Sequence, residues 1–136
     1  MGNGNGQMTL PGGGNPGRPV RGMLRVPFVR RCALTFSEGR TESAFIVNIN
    51  VLGAYIAMDE LPALADTVTF TFSPPHKDHE VSLQGTVTWL NPRQQHPVHS
   101  LPPGFGVKLQ PPQGENRRCV EEVVEDYIAR NPHVLH

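Results

Sequence analysis

Between Phe28 and Leu109 apolar residues fall at every second position in run after run. Strict alternation puts apolar side chains on one face of an extended chain and polar ones on the other, so it marks a half-buried strand. In the first run Phe28, Cys32, Leu34 and Phe36 share a face, with Arg31, Ala33 and Thr35 opposite. Glu38-Gly39-Arg40 supplies a turn. Phe45, Val47 and Ile49 are expected to form the next inward face, with Ile46 and Asn48 opposite. Residues 54–58 follow as a short third strand. Val68, Phe70 and Phe72 alternate with threonines until Pro74-Pro75. The longest run carries Val81, Leu83, Gly85, Val87 and Trp89, and Asn91-Pro92 stops it. Residues 91–103 are a loop rich in Pro, His and Gln, and Phe105, Val107 and Leu109 form the last strand.

The period then lengthens. Val120, Val123, Val124, Tyr127 and Ile128 recur at i, i+3, i+4, i+7 and i+8, the stripe of an amphipathic helix. Glu121, Glu122, Glu125 and Asp126 lie mostly on its wet face, and Asn131-Pro132 ends it. Six short antiparallel strands with one apolar face each tend to close into a barrel, which removes exposed edges. The expected fold is therefore mostly β: a six-stranded antiparallel barrel with a C-terminal amphipathic helix. Gly85, mid-strand, is expected to mark a bend or bulge. Val81, Leu83, Val87 and Trp89 are expected to pack against Val123, Val124 and Tyr127.

The chain has 136 residues, enough for one domain with a real core. Of its 14 Gly and 14 Pro, seven Gly and three Pro fall in residues 1–20. With little to bury there, residues 1–19 are expected to be a disordered tail, residues 20–132 the domain and residues 133–136 a C-terminal tail. No apolar run reaches membrane-spanning length, so membrane insertion is not expected. Two cysteines without metal-type spacing and no apolar leader point to reduced thiols in a cytoplasmic protein.

Twelve Lys+Arg balance twelve Asp+Glu, which argues against general polyanion binding. Nucleic acid is not expected as a partner for a second reason: Phe45, Phe70, Phe72, Trp89 and Phe105 fall on the apolar faces and read as core, leaving no exposed stacking surface. No nucleophile elbow or phosphate loop is present, and neither Cys32 nor Cys119 has a partner at a recognisable spacing, so no enzyme is expected. His76 with His79 and His96 with His99 are pairs three apart, but in Pro-rich loops with no carboxylate or thiolate to complete a familiar pattern. They read as loop polar residues; no metal site and no cofactor are expected.

Two elements remain. The first five charges of the chain are Arg18, Arg21, Arg25, Arg30 and Arg31, and Arg21 and Arg25 form an Arg-x-x-x-Arg just before the first strand. A guanidinium is a planar fork of donors that chelates a phosphate or the O6/N7 edge of guanine and stacks on a purine. The second element is Asn48-Ile49-Asn50-Val51-Leu52-Gly53, between the second and third strands. Asn amides read a base edge with both donor and acceptor, and glycine permits close backbone approach.

In this order and on this strand pattern, the chain resembles a PilZ domain, the bacterial receptor module for cyclic di-GMP. Arg21 and Arg25 match that family's Arg-x-x-x-Arg. Asn48 and Gly53 match the ends of its Asp/Asn-x-Ser-x-x-Gly, with Asn50 standing where the family has Ser. Val87-Thr88-Trp89 and Gly104 to Leu109 resemble its closing strand pair, and the likeness spans about residues 20–130. The resemblance implies a non-catalytic, stand-alone receptor whose ligand, cyclic di-GMP, contacts Arg21, Arg25, Asn48, Asn50 and Gly53, and which signals by docking to an unidentified downstream protein. The alternative it leaves open is a degenerate relative, an interaction adaptor that does not bind the nucleotide.

Overall fold

The computed structural model describes residues 24–93 and 101–135; the expected tail at 1–19, Arg21 and the His96/His99 pair lie outside the described residues. The period-two segments form β1 (Val26–Phe36), β2 (Thr41–Ile49), β3 (Gly53–Ala57), β4 (Thr67–Phe72), β5 (Val81–Asn91) and β6 (Gly104–Leu109). Every pairing is antiparallel, and the order β1-β2-β3-β6-β5-β4 returns to β1, a closed barrel without a free edge. This is the architecture expected from the alternation.

The interior is a continuous apolar cluster. Leu34, Ile46, Ile56, Val68, Phe70, Val81, Val87 and Phe105 are each essentially inaccessible to solvent. Each such side chain contributes about 1.5–3 kcal/mol of burial. The helix α1 (Gly114–Arg130) closes one flank, carrying Glu115 in its first turn and Arg130 in its last, each matched to the helix dipole. Asn131 stops it, with its Nδ2 donating to the Tyr127 carbonyl at 3.0 Å, ahead of Pro132. No helix among the described residues is long and apolar enough to cross a membrane.

The helix meets the barrel in two places rather than along one seam. Cys119 and Val120 enter the main core, where Val81, Leu83 and Val87 lie. Val124 and Ile128 instead close on Val26, with Leu24, Tyr127 and Val134 at the margin. The expected packing of Trp89 under this helix does not occur.

Two bulges explain where the alternation misleads. Between Ile46 and Asn48, β2 advances two residues while β3 advances one, so Val47 is extra and the inward phase switches. Ala44 and Ile46 therefore point in before the bulge and Ile49 after it, and Phe45, expected inside, is 42 % exposed. Arg31 lies over its ring at 5.1 Å. Between Val87 and Trp89 a second extra residue, Thr88, reverses β5. Val87 points in, Leu90 leans on the core, and Trp89 comes out at 42 % exposure. Gly85, expected to be a bend, lies in unbroken register with Val68 and Leu109; a Cβ there would stand 2.5 Å from the Lys108 carbonyl oxygen, so it marks a close strand approach.

Candidate functional site

The β2–β3 connection, residues 50–52, is built around one amide. Asn50 is buried, and its Oδ1 accepts from the N–H groups of Leu52 (2.8 Å) and Gly53 (2.9 Å). Its own N–H donates to the Gly53 carbonyl at 2.9 Å. This is the side-chain mimic of a backbone turn that Asn forms readily. The Leu109 N–H donates to the Leu52 carbonyl (2.8 Å), and Val51 is buried in the core, so the turn is fixed from inside and from β6. Asn50 thus holds the turn's shape.

Gly53 opens β3 opposite Lys108. A Cβ on it would fall 2.6 Å from Arg25 Nη2 and 2.7 Å from the Val107 carbonyl oxygen. The absence of a side chain is what lets the Arg25 guanidinium settle on the strand. The pairing of Val26 with Ile49 sets this up, since it carries the preceding residue, Arg25, to the mouth of the 50–53 turn. Partial burial there lowers the Arg25 pKa from the usual arginine value. Among the described residues no carboxylate lies within ion-pair distance of Arg25.

Asn48 sits on the outer side of the same corner, in register with Pro27 on one flank and Tyr55 on the other. Its Oδ1 is buried and has no hydrogen-bond partner among the described residues. A buried acceptor left unpaired costs about 1–3 kcal/mol, a cost that a ligand donor at this corner would relieve.

The row continues across the sheet. Tyr55 pairs with Gly106 and Gly106 with Trp89, so Asn48, Tyr55, Gly106 and Trp89 occupy one line over β2, β3, β6 and β5. The Trp89 indole lies over Gly106, and its ring is 5.5 Å from that of Tyr55. Tyr55 donates its hydroxyl proton to the Pro102 carbonyl (2.6 Å) and accepts from Asn91 Nδ2 (3.0 Å), which locks the phenol beneath Trp89. The half-exposed indole therefore presents an aromatic face in line with the orphaned amide. Alternation had assigned Trp89 to the core, and no residue type in Val87–Asn91 announces the bulge that turns it out.

Of the expected site residues, Arg25 and Gly53 are in contact, Asn50 shapes the turn between them and Asn48, and Arg21 lies outside the described residues. Among the described residues of the basic cluster, Arg25, Arg30 and Arg31 do not converge on one patch. Arg30 Nε donates to the Ser73 carbonyl (2.6 Å), and Arg31 donates to Ser43 Oγ (3.2 Å) while covering Phe45. Both are engaged along the barrel wall, away from the 50–53 turn. The cysteines are buried and free, and burial pushes the Cys32 thiol up to about 12, which makes it a poor nucleophile.

Residues 19–126 match the family model of the PilZ domain, a stretch that takes in the arginine arm, the whole barrel and most of the helix. No curated protein matches the chain.

Proposed function

Because the chain belongs to the PilZ domain family, whose members are cyclic di-GMP-binding receptor modules, we propose that it is a receptor for this nucleotide and that Arg25, Gly53, Asn48 and Asn50, with Arg21, form its site. The observation that carries the reading is the buried, unpartnered Oδ1 of Asn48 beside an arginine with no acidic partner among the described residues. A guanine edge offers N–H donors for the first, and a phosphate or the O6/N7 edge offers acceptors for the second. Asn50 supports the site indirectly, by keeping the 50–53 turn open for Arg25.

No acid–base pair or nucleophile is assigned to this corner, and the output is read as a change of surface when the arginine arm folds onto ligand. A stand-alone effector of this kind acts by docking to a downstream protein. Two buried free thiols support a reducing, cytoplasmic setting.

Isothermal titration with cyclic di-GMP tests the reading. Saturable binding by the full chain is expected. Asn50→Ser should bind at least as well, because a hydroxyl can accept the same turn N–H groups. If neither protein binds, the adaptor reading replaces the receptor one.

A further inference from the structure

Away from the 50–53 corner, three chemically different side chains converge where the β4–β5 loop meets the first turns of α1. Glu115 and Cys119 are four residues apart on the helix, which places them on one face. His79 comes from the loop before β5. Cys119 Sγ lies 3.7 Å from His79 Nε2 and 3.7 Å from Glu115 Oε2, and His79 Nε2 lies 3.9 Å from the same carboxylate oxygen. The three donor atoms thus form a nearly equilateral triangle. With Zn–S near 2.3 Å and Zn–N or Zn–O near 2.0–2.1 Å, a tetrahedral site has ligand–ligand edges of about 3.3–3.6 Å. Each observed edge needs to shorten by only a few tenths of an ångström to seat an ion.

The surroundings fit as well. Cys119 is buried while His79 and Glu115 are exposed, so the triangle has a closed base and an open fourth position for water. Asp78 Oδ1 lies 3.8 Å from His79 Nδ1, the side of the ring that faces away from the triangle. At that distance it is a charge contact rather than a hydrogen bond, and it favours the tautomer with the proton on Nδ1, which leaves Nε2 free to ligate. A thiolate and a carboxylate together cancel the charge of a divalent ion. Two cations stand nearby: Lys77 is engaged by Glu122 at 3.0 Å, and Arg118 Nε lies 4.0 Å from Glu115 Oε1, the carboxylate oxygen that is not part of the triangle.

We propose that His79 Nε2, the Glu115 carboxylate and Cys119 Sγ form a binding site for a zinc-class divalent transition cation. Binding releases the thiol proton to solvent and changes no oxidation state. The ion clips the β4–β5 loop to α1, joining residues forty positions apart in the chain. His79 had been paired in sequence with His76, and its actual companions were out of reach of any spacing rule. The inference is independent of the nucleotide site and is tested on nucleotide-free protein.

Cobalt(II) titration of the full reduced chain gives the direct test. One equivalent should bind, with a near-ultraviolet thiolate-to-cobalt band and intense visible bands of tetrahedral geometry, and equimolar zinc should abolish both. Cys32→Ala should leave the spectrum unchanged, since that thiol is shut inside the barrel. Cys119→Ser should remove the thiolate band. As Cys119 is buried and its loss bears on folding, the exposed pair supplies a second test: His79→Gln and Glu115→Gln should each weaken zinc binding at least tenfold, whereas His76→Gln should not. No stoichiometric cobalt binding by the parent overturns the proposal. So does a thiolate band that survives Cys119→Ser, or zinc affinity unaffected by His79→Gln and Glu115→Gln.

Discussion

The barrel has two unlike halves. Where β4 meets β1 and the first part of β5, the ladder runs without interruption: Val68, Phe70 and Phe72 point in, and Thr69 and Thr71 out, against partners that keep the same phase. Where β2, β3 and β6 meet the end of β5, bulges at Val47 and Thr88 break the register, a glycine admits an arginine onto a strand, and a buried amide oxygen goes unpaired. One half is built of mutually supporting contacts and the other carries the departures. Strain and unsatisfied groups persist only where surrounding structure compensates, and they gather where ligands bind. The regular half supplies that compensation.

The largest effect should come from the regular half. Phe70 is fully buried, and Phe70→Ala should destabilise the fold by about 3–5 kcal/mol in urea denaturation, since a cavity adds to the lost transfer energy. A loss below about 1 kcal/mol would break the contrast between the halves. Next is the site. Arg25→Ala should weaken cyclic di-GMP binding about ten- to a hundredfold by calorimetry, the worth of one charge-assisted pair at about 1.5–3 kcal/mol. Stability should barely change, because Arg25 has no ion-pair partner among the described residues. Arg25→Lys should not rescue it, as an ammonium cannot chelate two acceptors in plane.

A smaller effect separates the interior from the rim by pH. The Cys32 thiol is raised from 9.0 to about 12 in the folded chain because it is desolvated inside the barrel. The folded state therefore holds its proton more tightly than the unfolded one. This contribution is complete below the unfolded value and is lost as pH rises from about 9 towards about 12, by about 1.4 kcal/mol per pH unit at most. Cys32→Ala should flatten the alkaline limb of a stability profile, and an unchanged limb would show that the thiol is not the group responsible.

The same contrast governs what could be read from residue order. The strands from 67 to 87 follow their alternation because each partner keeps phase. At Phe45 and Trp89 the reading inverted, since one extra residue puts the side chains before it and after it in opposite phase, and no residue type marks the insertion. The barrel itself was still recoverable, because short strands, turn residues and a late helical period survive a local phase error. At the proposed site, the spacing of Arg25, Asn48, Asn50 and Gly53 pointed to residues that the fold does bring to one corner. What it could not give was the division of labour: that Asn50 is spent on the turn, that Gly53 is the seat of Arg25, and that the Asn48 oxygen is left over. The His79–Glu115–Cys119 triangle is long-range and was not visible at all.

On the proposed reading, the Asn48 acceptor is kept unpaired for a ligand rather than for the fold. Asn48→Leu tests it most directly, with urea denaturation and cyclic di-GMP calorimetry on the same preparation. Removing an unsatisfied acceptor for an apolar group of similar shape should leave stability unchanged or raise it by up to about 1–3 kcal/mol, while nucleotide affinity falls at least tenfold. A variant that loses stability yet binds cyclic di-GMP as tightly as the parent would show that Asn48 serves the barrel and not the ligand.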